Sequence, residues 1–260
     1  MDSEPIIKPT KDGSSTLYSP RFAQHYHNPN GAVAESLYNF FETTGLIEQI
    51  HQHRSLNVFE TGFGTGMNLV LLLDALESLE KASYSGIITY LSVEAYPISA
   101  ETVSKLQFGA DSNLEKYKPL LVRIFSESKP GMNRFDLGSG LTLLLYIGQF
   151  DQLFDEEVIS ESFQFIFHDP FSPEVNAELW TPDVFQKLKS ISNPNTLLST
   201  YCAASSARAA MAVAGWYVAK NRGALGKREM TLASPDAVRL TGWKRVDEKR
   251  LAERYRKGDF

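Results

Sequence analysis

Cysteine is almost absent from this chain: Cys202 is the only one in 260 residues, which excludes an internal disulfide and any cysteine-based zinc cluster. It closes the run Leu197-Leu198-Ser199-Thr200-Tyr201-Cys202, a buried strand end by pattern, so packing is expected of it rather than nucleophilic chemistry. No apolar run is long enough to span a bilayer, and residues 1–10 lack the basic and apolar blocks of a signal peptide. A soluble, cytoplasmic, monomeric protein without a membrane partner is expected. Metal-ligand spacing is missing as well. His25 and His27, and likewise His51 and His53, stand two apart, on opposite sides of a helix, and read as surface or loop residues; no metal is expected. A basic excess is also lacking, the formal net charge being −5, which argues against a nucleic-acid partner for the chain as a whole. The charge is uneven, however. Residues 215–260 hold twelve Lys or Arg against six Asp or Glu, leaving that segment at +6 and the remainder at −11. Alternating signs over 244–257 describe a solvated helix face. The tighter group Lys220, Arg222, Lys227 and Arg228 is the better candidate for phosphate contact.

The most informative stretch is Val58-Phe59-Glu60-Thr61-Gly62-Phe63-Gly64-Thr65-Gly66. An apolar run ends in an acid, glycines follow at alternate positions, and Leu69, Leu72, Leu73 and Leu76 then begin a helical pattern: strand, tight turn, helix. Gly62, Gly64 and Gly66 permit positive φ and close approach of a ligand, and the helix adds its unsatisfied N–H groups at the same place. NAD, FAD and S-adenosylmethionine folds all use such a turn. Two details favour the last. The spacing is GxGxG rather than GxGxxG, and Glu60 would repel a pyrophosphate but suits the cationic methionine end of S-adenosylmethionine. A second strand, residues 87–93, ends at Glu94, where a carboxylate can accept both ribose hydroxyls of an adenosine.

Residues 1–50 read as a capping segment and helix, with Val33, Leu37, Phe40, Phe41 and Leu46 at helical spacing over 32–48. Residues 51–235 carry the main domain, and 236–260 a basic tail. Beyond Glu94 come a helix near Pro97 and Ile98, a polar irregular region to Asn133, and strands at 141–147 and 163–169. A helix at 182–190, a strand at 196–201, a helix at 203–214 and a strand pair near 216–220 and 229–233 complete the series. Strands alternating with helices imply an α/β, Rossmann-like fold with a mostly parallel sheet and helices on both faces. The ligand belongs at the carboxyl ends of the strands, where Glu60, Glu94, Gln149 and Asp169 fall.

Asp169-Pro170-Phe171-Ser172-Pro173 closes a strand at that edge. Its prolines stiffen the turn and hold acid and ring in fixed relation. It resembles the Asp-Pro-Pro-aromatic loop of methyltransferases acting on exocyclic nitrogens, where a carboxylate orients an ammonium and accepts its proton. Phe171 can stack on a base or wall off water. The run GAVAES at 31–36, ETGFGTGMN at 60–68, HDPFSPEVNAELWTPDVF at 168–185 and GALGKREM at 223–230 resembles, in order and spacing, the methyltransferase domain of the bacterial tRNA 5-methylaminomethyl-2-thiouridine biosynthesis family MnmC. The resemblance covers about residues 30–234. It implies transfer of a methyl group from S-adenosylmethionine to the amine of 5-aminomethyluridine at the tRNA wobble position. Asp169 carries over as acid/base and Glu60, Gly62, Gly64, Gly66 and Glu94 as cofactor residues, with Gln149 at the adenine-binding strand end where the family commonly has an acid. Phe171, Lys227 and Arg228 are the expected substrate contacts, on the anticodon stem-loop. Two-domain members carry an FAD-dependent oxidoreductase domain as well, and the present chain looks like a methyltransferase-only form. The alternatives are methylation of a free small-molecule amine and an inactive cofactor-binding partner protein.

Overall fold

The computed structural model describes residues 4–79, 84–109, 113–155, 159 and 162–260; residues 1–3 of the capping segment and 110–112 of the polar region lie outside them. The strands are β1 Ile6–Pro9, β2 Ser15–Ser19, β3 Gln24–His25, β4 Leu56–Thr61, β5 Ile88–Glu94, β6 Gly131–Asp136, β7 Leu141–Ile147, β8 Phe163–His168, β9 Ser192–Thr200, β10 Tyr217–Asn221, β11 Met230–Ser234 and β12 Lys244–Arg245. The helices are α1 Ala32–Ser36, α2 Leu46–His51, α3 Met67–Glu77, α4 Ala100–Lys105, α5 Lys118–Glu127, α6 Phe150–Asp155, α7 Pro182–Ser190, α8 Ser205–Val213 and α9 Glu248–Arg256.

Nine strands form one sheet in the order β12-β10-β11-β9-β8-β4-β5-β7-β6. Its middle, β9-β8-β4-β5-β7, is parallel, and β6, β11, β10 and β12 add antiparallel margins. Side chains alternate across a strand, so neighbours on β4 serve different layers. Val58 packs with Leu69, Leu72, Tyr90 and Phe165 on one face. Phe59 joins Leu91, Ile166, Leu188, Met211 and Trp216 on the other. Local chemistry fixes the helix starts: Thr181 caps α7 by accepting from the Val184 N–H, with Pro182 at its first position, and Asp247 caps α9 through the Arg250 N–H.

Three departures from the sequence reading stand out. The helix expected over 32–48 is broken into α1, a π-helical turn Leu37–Glu42 and α2 beyond Gly45 at φ 77°. The wider turn lets the adjacent Phe40 and Phe41 both pack on Phe167, at 4.9 and 5.6 Å between ring centres, which a regular α-helix resists. The region to Asn133 contains α5 and β6. Of these elements Leu121 and Ile124 of α5 and Phe135 of β6 are buried; β6 is the edge strand of the sheet. Finally, residues 236–260 are tied to the sheet: β12 pairs with β10, the Val218 N–H donates to Glu248 Oε1 at 2.9 Å, and Leu240 and Ala252 are buried. The capping segment contributes its own antiparallel sheet, β1-β2-β3.

Candidate active site

The chain runs from β4 outward through β5 to β7, then returns to β8 and continues outward through β9. A crevice therefore opens at the carboxyl ends of β4 and β8, where the direction of winding reverses. The glycine turn and the Asp169 loop meet there. The Asp169 N–H donates to Thr61 O at 3.1 Å, and the Gly62 N–H to Val93 O at 3.0 Å. Gly62 has φ 89°, and a Cβ on it would stand 3.1 Å from the Asp169 carbonyl oxygen, so only glycine brings the two loops this close.

A cavity of about 490 Å³ occupies the crevice, bordered by Gly62, Gly64, Glu94, Gln149, Asp169 and Phe171. Its lining is acidic: Glu35, Glu94, Asp151, Asp169 and Glu178 face a single ammonium, Lys227, among the described residues. Glu94 is half-buried; its Oε2 accepts from the Gly64 N–H and its Oε1 from the Tyr96 N–H, both at 2.8 Å. Burial raises its pKa while these amides oppose the rise. Gln149 is exposed at the rim, its amide 3.5 Å from the Tyr96 hydroxyl.

Glu60 borders a side cavity of about 30 Å³ next to Gly62, Asn68 and Asp169. It accepts from Asn68 Nδ2 at 2.8 Å and Ser92 Oγ at 2.7 Å, and burial pushes its pKa up to about 7 against those bonds. Asp169 is raised well above the ordinary carboxyl range, first by burial, then by Glu60 and Glu35, with Lys227 and Asn68 opposing. Phe171 stacks on Phe22 at 4.5 Å and meets Tyr26 edge-on at 5.0 Å, forming an aromatic wall beside the acid. Gly66 opens α3 at φ 78° rather than bordering the cavity.

Two expectations are corrected. His25 and His27 are not surface residues: both border the cavity, and the Nδ1 of each is buried without a hydrogen-bond partner. His25 ends β3 and His27 lies in the bend just beyond it, so neither sits on the helix assumed from their spacing. Burial drives the His27 pKa down to about 4. Lys227 borders the cavity with its Nζ 2.5 Å from Glu35 Oε1 and its side chain 41% exposed, and Arg228 is exposed beside it. Glu35, Tyr201 and the strap around Phe22 and Tyr26 were not singled out as site residues, although Glu35 lies in the GAVAES run and aromatic and His residues crowd the strap. Among the described residues no cluster of metal-ligating side chains occurs, and no helix is long and apolar enough to cross a membrane.

Comparison with known proteins places this geometry. A family described as S-adenosyl-L-methionine-dependent methyltransferase matches residues 112–236. The chain is 31% identical over 235 residues to the tRNA 5-methylaminomethyl-2-thiouridine biosynthesis bifunctional protein MnmC of Cupriavidus metallidurans, covering 89% of this chain and 34% of that protein. Its counterpart in Cupriavidus necator is 28% identical over 233 residues, with the same coverage. The chain thus spans about a third of the length of the curated relatives it matches. The crystal structure of MnmC2 from Aquifex aeolicus superposes with a TM-score of 0.76 at 24% identity, covering 97% of this chain and 75% of that one, which shows a common fold. Residues 112–236 thus match the S-adenosyl-L-methionine-dependent methyltransferases, and the chain is MnmC-like in sequence and Rossmann-like in fold.

Proposed function

We propose that the chain methylates the primary amine of 5-aminomethyl-(2-thio)uridine at the wobble position of tRNA, giving the 5-methylaminomethyl form. The observation that carries this reading is the contact between the Gly62 turn and the Asp169 loop over an acid-lined cavity, because two cationic partners, a sulfonium and an ammonium, must meet there. The names of the relatives supply the tRNA.

The cavity suits S-adenosylmethionine. Gly62 and Gly64 leave the backbone open to a ligand, and Glu94 retains free lone pairs for the ribose hydroxyls beyond the two amides it already accepts. The buried Asn68 Oδ1 and Thr65 Oγ1 have no partner and, with Glu60, fit the polar methionine end. When bound, the cofactor supplies a sulfonium-activated methyl group. Asp169 accepts the proton of the substrate ammonium at its carboxylate and so frees the nitrogen lone pair. Phe171, Phe22 and Tyr26 hold the base against the wall and exclude water. Fixing the amine in a near-attack geometry contributes on the order of 7–11 kcal/mol, more than proton transfer does. Arg222 and Arg228, exposed on the loop that bears Lys227, bind anticodon-stem phosphates.

Methylation of a free amine is the second reading, favoured by the pairing of Lys227 with Glu35, which engages one of the basic group's charges. Incubating the protein with S-adenosylmethionine and tRNA carrying 5-aminomethyluridine, then analysing wobble nucleosides by mass, separates the two. The expected product is the monomethylated nucleoside in tRNA. Equal turnover of the free nucleoside and the tRNA would overturn the first reading.

A further inference from the structure

We propose that Glu35 and Lys227 are a positioning pair for methyl transfer, in which the Lys227 ammonium, held at the cavity border by Glu35, sets the charge available on Asp169. The proposal rests on the reading of Asp169 as proton acceptor. Glu35 lies on α1 and is 8% exposed; its Oε2 accepts from the Asn28 N–H at 2.9 Å and its Oε1 from Lys227 Nζ at 2.5 Å. The two residues are 192 positions apart, so the pair joins the front of the chain to its rear across the cavity mouth. Lys227 Nζ also lies 5.3 Å from the centre of the Tyr201 ring. The Tyr201 hydroxyl donates to Pro170 O at 2.8 Å, next to Asp169.

The loop carrying Lys227 is anchored at both ends. The Tyr38 hydroxyl donates to Arg222 O at 3.0 Å, and Glu229 is paired at 2.8 Å with Arg208, a residue only 3% exposed. A Cβ on Gly223 would stand 2.7 Å from Lys227 Cβ, so the loop is folded tightly on the lysine stem. Lys227 thus borders the cavity with its ammonium paired to Glu35, while its side chain stays 41% exposed.

Asp169 is surrounded from every side. Glu60 on β4, Tyr90 on β5 and Asn68 on α3 face it from the sheet and the glycine-turn helix. Glu35, Lys227 and Tyr201 face it from the roof, and His27, neutral through burial, shares the side cavity. Glu35 disfavours the Asp169 carboxylate and Lys227 favours it. The two halves of one ion pair thus act on Asp169 with opposite sign.

Carboxyl carbon NMR of the free protein, with the Asp169 signal assigned through Asp169→Asn, reads this directly. Glu35→Gln is expected to move the Asp169 midpoint to lower pH and Lys227→Met to higher pH. Lys227→Arg, which keeps the charge, should leave it near the wild-type position. Lys227→Cys alkylated with 2-bromoethylamine restores the cation and should restore the midpoint; Cys202 is buried, with its thiol pushed up to about 11, and reacts slowly. In transfer assays the acid limb of kcat/KM should follow the same shifts. Movement of both variants in one direction, or no movement with only a lowered Tm, would overturn the proposal. Opposite NMR shifts in a protein that fails to methylate tRNA would leave the charge coupling standing and remove the proposed substrate.

Discussion

At the residue scale, each carboxylate in the site has its own measurable signature. Glu94→Ala removes acceptors from the Gly64 and Tyr96 amides as well as from the ribose. Loss of a charged hydrogen-bond partner is worth ~1.5–3 kcal/mol, so calorimetry should show S-adenosylmethionine binding weakened about 10- to 150-fold. Unchanged affinity would remove Glu94 from the cofactor site. Asp169→Asn keeps the shape but accepts no proton, so turnover should fall ~10²–10⁴-fold with little change in cofactor affinity. Near wild-type rates across pH would leave Asp169 a structural residue. Glu60 has a pKa raised to about 7 from an ordinary value of 4.5, so the folded protein keeps a proton that the unfolded chain has lost. Its contribution to stability is fully present below about 4.5 and is lost as pH rises through about 7. Glu60→Gln should therefore flatten the fall of Tm over that window in the cofactor-free protein, and a parallel pH profile would contradict it. Glu60, Glu94 and Asp169 were legible because each ends an apolar run beside a glycine or proline turn. The Glu35–Lys227 pair was not, since its members meet only when distant segments close over the cavity.

At the scale of elements, the switch point between β4 and β8 tolerates no side chain at position 62. Gly62→Ala would put a Cβ at φ 89° and 3.1 Å from the Asp169 carbonyl, whose own amide is tied to Thr61. The backbone strain alone is ~1–2 kcal/mol, about 2–8 °C in Tm for a domain of this size, and the displaced loop should lower single-turnover rates further. A variant that loses Tm but keeps full activity would show that the loop spacing is unimportant. The inner strands were readable from sequence because they are buried on both faces and run as continuous apolar stretches. β6 and the small sheet β1-β2-β3 were not, because edge and surface strands take their order from partners rather than from their own pattern.

For the whole molecule, net charge and the location of charge make different demands. The chain is acidic overall, yet residues 215–260 are basic, and Arg222 and Arg228 of that segment stand exposed. If both contact tRNA phosphates, Arg222→Ala with Arg228→Ala should reduce the slope of log affinity against log salt by about 1.4–1.8, leaving cofactor binding unchanged. Equal slopes at matched stability would dismiss the phosphate contacts. The cavity wall draws on positions from Phe22 to Lys227, nearly the full course of the polypeptide. A fragment that lacks either the Phe22 strap or the Lys227 loop therefore has an incomplete wall, and a ligand there favours molecules in which both segments are in place. At a hundredfold excess over Kd such a ligand adds about 2.7 kcal/mol to the folded state. S-adenosylmethionine thus acts as a clasp between remote segments, and saturating it should slow proteolytic nicking at both the Phe22 strap and the Arg222 loop, distant as they are in sequence.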